Sequence, residues 1–192
     1  DVAPSRGLGD VYKRQIWLYY MTRFPNMPLR ILNGGIGGDT AYDMNKRLDG
    51  DIFPMKPSVL MVTFGMNDSG YFEYNGDNPK EFGEQKYQES IKNYQQMEKR
   101  FKDLPDTRIV MVGTSPYDET VQLKENVPFK TKNETIKRIV EYQKESAAKN
   151  NWEFTDLNAP MVALNQQNQQ KDPAFTLCGS DRIHPDNDGH MV

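Results

Sequence analysis

The spacing of apolar residues changes period repeatedly along this chain, and each change marks an element. Ile16 to Phe24 (IWLYYMTRF) reads as a short amphipathic helix, ended by Pro25. Leu29 to Leu32 reads as a short strand, and Asn33 to Asp39 as a glycine-rich turn. A helix is predicted from about Thr40: Thr40 and Asp43 have capping-box spacing, and Ala41, Met44 and Leu48 share one face. Ser58 to Phe64 (SVLMVTF) is apolar and β-branched, which predicts a strand buried on both faces. A loop rich in aromatic and turn residues runs from Ser69 to about Phe82. The clearest helix spans about Glu84 to Leu104, with Tyr87, Ile91, Tyr94, Met97 and Phe101 on one stripe. Arg108 to Val112 is a further strand, followed by a second long loop through Pro116 and Pro128. Thr131 and Glu134 repeat the capping-box spacing and open a helix carrying Ile136, Ile139, Val140 and Ala147. Trp152 to Thr155 is a short strand, and Ala159 to about Gln169 a helix with Pro160 in its first turn.

Strands alternating with helices predict βαβ units, hence an α/β fold with a mostly parallel sheet and right-handed crossovers. In such folds ligands bind beyond the carboxyl ends of the strands. Residues 69–82 and 114–130 both follow strands, so these loops are expected to wall the site. No internal repeat is visible.

A length of 192 residues suits one domain. Asp1 to Gln15 (DVAPSRGLGDVYKRQ) shows neither helical nor strand periodicity and resembles a translated sequencing-adapter peptide. It is set aside from the fold as non-native, which leaves 16–192 as the domain. That domain is expected to be cut at both ends, since a helix is predicted to start only at Met191-Val192. Mean hydropathy is low, −0.81, and no stretch approaches the roughly 18 apolar residues of a membrane span. A net charge of −3 gives no electrostatic case for nucleic acid. The one cysteine, Cys178, excludes an internal disulfide and reads as a small buried side chain. With two histidines, His184 and His190, and no Cys/His spacing that suits zinc, neither a metal nor another cofactor is expected.

Three short segments carry candidate chemistry. Asp181 and His184 lie three apart with Pro185 after them, so one turn can present both side chains. The carboxylate would hold one imidazole nitrogen and leave the other as a general base. Alone, the spacing arises by chance in many chains, and a loop histidine is the ordinary reading. Asn33-Gly34-Gly35-Ile36-Gly37-Gly38-Asp39-Thr40 joins a strand to a helix start, where backbone N–H groups can face a phosphate or an oxyanion. A tight turn that needs glycine only for its dihedrals fits equally well. Gly65-Met66-Asn67-Asp68 follows the buried strand, so the Asn67 amide can point into a site as a donor; a common turn is the plainer alternative.

Taken in order, these segments resemble three blocks of the SGNH/GDSL-type serine esterases, and the resemblance runs from about Ile16 to the end. It implies a three-layer α/β/α, flavodoxin-like fold, here without its first strand. It implies that Gly35 N–H and the Asn67 side chain form the oxyanion hole, and that Asp181 and His184 are acid and base. It implies acyl transfer from a small-molecule or carbohydrate ester, with acetyl esters expected. Tyr71, Phe72, Tyr74 and Tyr117 are the residues expected to stack on sugars. The chain departs from the family at the nucleophile. The Gly-Asp-Ser block is absent: Gly9-Asp10 is followed by Val11, and Ser5 lacks the context. Ser69, Ser90 and Ser115 read as loop or helix-surface residues. The nucleophile is therefore unknown, and the chain as it stands is expected to be inactive.

Two other readings stay open. One is a non-catalytic relative that binds ligand without cleaving it. The other is a nucleotide-binding α/β domain, although the glycine loop is a poor G-x-G-x-x-G and no G-x-x-x-x-G-K-[ST] occurs. A signal peptide ahead of Ile16 would make the parent secreted or periplasmic; otherwise it is cytoplasmic. Oligomeric state stays open.

Overall fold

A computed structural model describes residues 8–124 and 127–191. The chain divides into a segment ending at Gly38 and a compact unit that begins at Asp39. In the first segment, helix α1 spans Leu8–Arg23, starting eight residues before Ile16. Residues 8–15 are thus helical despite their weak periodicity; Tyr12, Lys13, Arg14 and Gln15 all tolerate helix, and no glycine or proline interrupts the run from Asp10 to Phe24. The rest of the segment set aside as non-native, residues 1–7, lies outside the described residues. The strand expected at 29–32 does not form. Leu29 and Leu32 are 40% and 51% exposed, and four residues without a ladder partner cannot hold a strand.

The second unit is α/β with an all-parallel sheet, as expected. Strands β1 (Val59–Val62), β2 (Arg108–Gly113) and β3 (Glu153–Asp156) lie in the order β1-β2-β3. Val59 pairs with Arg108, and Val110 with Glu153. β1 is not buried on both faces: Val62 is buried, but Val59 and Met61 are 47% and 51% exposed. It is an edge strand in the described sheet, and its inward residues alone meet the core.

The helices are α2 (Ala41–Arg47), α3 (Pro79–Arg100), α4 (Lys132–Asn150) and α5 (Asn158–Gln169). α2 starts at the expected capping box, where the Thr40 side chain accepts from Asp43 N–H and the Asp43 side chain accepts from Thr40 N–H. α3 begins at Pro79, five residues before Glu84, because Pro79 fits the first helical position. Its predicted stripe is the core-facing one: Ile91, Tyr94, Met97 and Phe101 are buried together with Val62, Phe64, Ile109, Met111 and Ile139. Phe64 and Tyr94 stack at 4.9 Å. The second capping box does not form. Thr131 has φ 69° and makes no side-chain cap bond. Its left-handed backbone swings the hydroxyl away from the helix N–H groups. After α5, a short 3-10 turn at Gly189–Met191 is the last element; Val192 lies outside the described residues.

Candidate active site

The final turn is built to bring Asp181 and His184 together. Cys178 and Pro185 form an antiparallel bridge. Within it Gly179 N–H donates to His184 O at 2.8 Å, and Arg182 N–H to Gly179 O at 2.9 Å. Arg182 takes a left-handed φ of 65°, which reverses the chain between the two side chains. Asp181 Oδ2 lies 2.6 Å from His184 Nδ1. Asp181 Oδ1 accepts from the backbone N–H of Ile183 and of His184 at 2.9 and 3.0 Å. Burial tends to raise the Asp181 pKa, but the bonds from the His184 ring and these two N–H groups outweigh it and hold the carboxyl below the ordinary range. His184 Nε2 makes no hydrogen bond among the described residues, and the side chain is 57% exposed. The imidazole is thus oriented through one nitrogen and open at the other, as a general base requires.

Arg182 anchors this turn. It is 1% exposed. Its Nη1 donates to Asp118 O at 3.0 Å and Val121 O at 2.8 Å, while Arg182 O accepts from Asp118 N–H at 2.9 Å. Nothing in the sequence marks Arg182, because a charged residue between two site residues looks like a solvated one.

Asn67 sits at the carboxyl end of β1, after Gly65. Gly65 has φ 125°, a conformation that only glycine takes without strain. Asn67 Nδ2 donates to Asp39 O at 3.0 Å, and Asn67 Oδ1 accepts from the Tyr71 hydroxyl at 2.6 Å. The carbonyl can only accept, so these bonds settle which end of the amide is nitrogen. One Nδ2 hydrogen is used; the second has no acceptor among the described residues. Tyr71 is the partner of this amide's carbonyl. Its hydroxyl pKa is pushed up to about 12 by burial, then by the Asp181 and Asp68 carboxylates.

Gly35 belongs to the first segment. Its N–H donates to Asn33 Oδ1 at 3.0 Å.

None of Ser69, Ser90 and Ser115 is presented as a nucleophile. Ser69, Ser90 and Ser115 are 0%, 2% and 1% exposed. Ser90 is therefore not a helix-surface residue: its hydroxyl donates inward to Asp68. Ser69 accepts from Lys132 Nζ at 2.6 Å, yet its own proton goes to Met66 O and it is closed to substrate. Ser5 lies outside the described residues. Cys178 is buried and its thiol is pushed up to about 12 by burial and by Asp118, Asp181 and Asp186, so it holds no thiolate near neutrality.

The aromatic residues expected to stack on sugar separate into two groups. Tyr74 and Tyr117 are 2% and 1% exposed and cannot do so. Their hydroxyls are spent inside, Tyr74 on Ser69 O and Tyr117 on the Phe129 N–H. Phe72 is 81% exposed and meets Phe129 edge-to-face at 5.7 Å. Phe129 was not foreseen; it lies in a proline-flanked loop with no periodicity to mark it.

Lys132 carries a stability signature. It is fully buried, and burial pulls its pKa from 10.5 down to about 7 against the opposing charge of Asp68. Between pH 7 and 9 the unfolded lysine keeps its proton and the folded one has lost it, so stability rises with pH. Urea unfolding is expected to show a gain of about 2 kcal/mol over that interval, absent in Lys132→Met. Equal slopes in the two proteins would contradict it. Above pH 9 the raised Cys178 thiol works in the opposite direction.

A parallel α/β unit with an oriented Asp–His pair and an amide donor at a strand end is the framework of an acyl hydrolase. The residue profile of the GDSL-like Lipase/Acylhydrolase family matches residues 6–192, and the chain belongs to that family. It is 25% identical over 186 residues to an acetylxylan esterase of Geobacillus stearothermophilus, covering 96% of this chain and 78% of that one. The solved structure of that esterase superposes with TM-score 0.69 at 23% identity, over 94% of this chain and 75% of the other. A solved gut microbial diltiazem-metabolizing enzyme is 82% identical with TM-score 0.90, over 94% of this chain. An uncharacterized lipoprotein of Bacillus subtilis is 38% identical over 60 residues, 31% of this chain. The chain spans 41% of the length of the diltiazem-metabolizing enzyme and 25% of the lipoprotein. No described helix is long and apolar enough to cross a membrane.

Proposed function

We propose that this chain is the acid–base and oxyanion part of a serine-type esterase that removes small acyl groups, acetyl above all, from carbohydrate or aryl-bearing alcohols. The observation that carries the reading is the Asp181–His184 pair, bonded through Nδ1 with Nε2 open. A serine Oγ would attack the ester carbonyl while His184 Nε2 takes its proton. The oxyanion would be held by the Gly35 N–H and the second Nδ2 hydrogen of Asn67. As the C–O bond breaks, His184 returns the proton to the leaving alcohol. Water then repeats the cycle on the acyl-enzyme and releases the acid.

The acetyl preference is supported by the acetylxylan esterase relative. Structures of the acetylxylan esterase carry catalytic mutations at a serine, and at an aspartate and a histidine three positions apart. The exposed Phe72, backed by Phe129, offers an aromatic face for a ring near the ester.

This sequence contains no Gly-Asp-Ser. The chain alone is expected to take no label from a fluorophosphonate probe and to leave an aryl acetate intact. Joined behind a segment that supplies the missing Gly-Asp-Ser block, it is expected to cleave aryl acetates and acetylated sugars. His184→Ala should then lose activity by about 10²–10⁴-fold. Labelling of a serine in the chain alone would overturn the inactivity. Equal turnover of acetylated sugars and long-chain lipid esters would overturn the substrate class. Ligand binding without turnover in the joined protein would make it a binding module.

A further inference from the structure

We propose that Lys132 is a positioning residue for the oxyanion donor: its ammonium holds residues 66–70 and the Tyr71 ring in the arrangement that aims the Asn67 amide. The proposal rests on the reading of Asn67 as that donor.

Lys132 is out of place by ordinary rules. It is 0% exposed and is the first residue of α4, at the positive end of the helix dipole. Burying an ammonium costs several kcal/mol unless its donors are met. Here all three are met by one short loop. Nζ donates to Met66 O at 2.9 Å, to Ser69 Oγ at 2.6 Å and to Gly70 O. These acceptors bracket Asn67 on both sides. The same Nζ lies 3.9 Å from the centroid of the Tyr71 ring, and the Tyr71 hydroxyl donates to Asn67 Oδ1 at 2.6 Å. Every direct contact of the ammonium therefore falls on the segment that orients Asn67, apart from the Tyr117 ring at 5.8 Å.

A neutral amine has only two hydrogens, so loss of the proton forces one of the three acceptors to be released. Burial brings that loss to about pH 7, with the Asp68 charge resisting it. The other ionisable groups near it are Tyr71 in the same loop, which feels the Asp181 and Asp68 charges, and Tyr117, which feels the charges of Arg182, Glu119 and Asp118.

The test is an NMR titration of the whole chain from pH 6 to 9, following the Asn67 side-chain amide and the Lys132 amine. The Asn67 signals are expected to shift with the Lys132 midpoint. In Lys132→Met and in Tyr71→Phe they should collapse toward those of a free side chain, with hydrogen exchange at least about tenfold faster. Asn67 signals that stay constant through the Lys132 titration, or that follow the His184 ring instead, would overturn the proposal. So would an unchanged Asn67 in folded Lys132→Met. If that variant does not fold, the wild-type titration and Tyr71→Phe still decide. None of these readings needs turnover. An inactive serine-bearing protein in which Asn67 tracks Lys132 removes only the esterase reading; an active one in which Asn67 ignores Lys132 removes only this proposal.

Discussion

Arg182→Met is expected to lower the unfolding free energy by about 4 kcal/mol and to free the His184 ring from Asp181. Methionine keeps most of the apolar stem, so the loss comes from the guanidinium. Its Nη1 donates to the carbonyls of Asp118 and Val121. Hydrogen bonds from a charged group contribute about 1.5–3 kcal/mol each. Both carbonyls are then left without this donor inside the protein, where an unmet polar group costs more than a bond gains. The chain reversal at Arg182 also has a left-handed backbone. With its anchor gone, nothing offsets that conformation, and the turn can relax. Urea unfolding gives the first quantity. The second is read from the His184 ring signals, which should lose their response to Asp181→Asn. A variant as stable as the wild type to within about 0.5 kcal/mol would show that the anchor contributes nothing net.

Asp68→Ala is the other large effect, at about 3 kcal/mol. Asp68 Oδ1 accepts from Ala41 N–H at 3.0 Å and from Ser90 Oγ at 3.1 Å. Its Oδ2 accepts from Gly65 N–H at 3.1 Å. One carboxylate thus ties the start of α2, the middle of α3 and the end of β1. Removing it strands three donors in a dry interior, each worth about 1–3 kcal/mol. The sum is reduced because the ionised carboxylate is itself costly there: burial raises its pKa in spite of these three bonds. The sign follows. A raised folded pKa means that Asp68 binds its proton more tightly when folded, so its contribution is greatest in acid and falls as pH rises through that pKa. Asp68→Ala should therefore lose more stability at pH 4 than at pH 7, measured by chemical unfolding. A loss that grows with pH would contradict this account.

Much of the fold was legible because it is local. The α3 stripe from Tyr87 to Phe101 needs only helical spacing, and the Thr40–Asp43 box only a bond across three residues. β2 and β3 follow from short apolar runs between helices. The local signals failed where a partner decides the outcome. Leu29 to Leu32 has strand composition but no ladder among the described residues. Thr131 and Glu134 have capping spacing, but the backbone at Thr131 is left-handed. Val59 and Met61 look like buried strand residues, yet β1 is an edge of the described sheet.

The candidate site divides along the same line. By itself the sequence determined the Asp181–His184 pair, because three residues in one turn suffice to bring a carboxylate onto an imidazole. It also determined that Asn67 follows a strand and that no Gly-Asp-Ser is present. Only the tertiary structure decided what holds these groups. Arg182 reaches carbonyls 61 and 64 residues away. Lys132 reaches back 62 to 66 residues to the loop around Asn67. Such bonds leave no period or spacing in the chain, since they depend on where the sheet and helices place distant backbone. A buried lysine and a buried arginine look solvated in a sequence. They become supports of a site only when the fold closes over them.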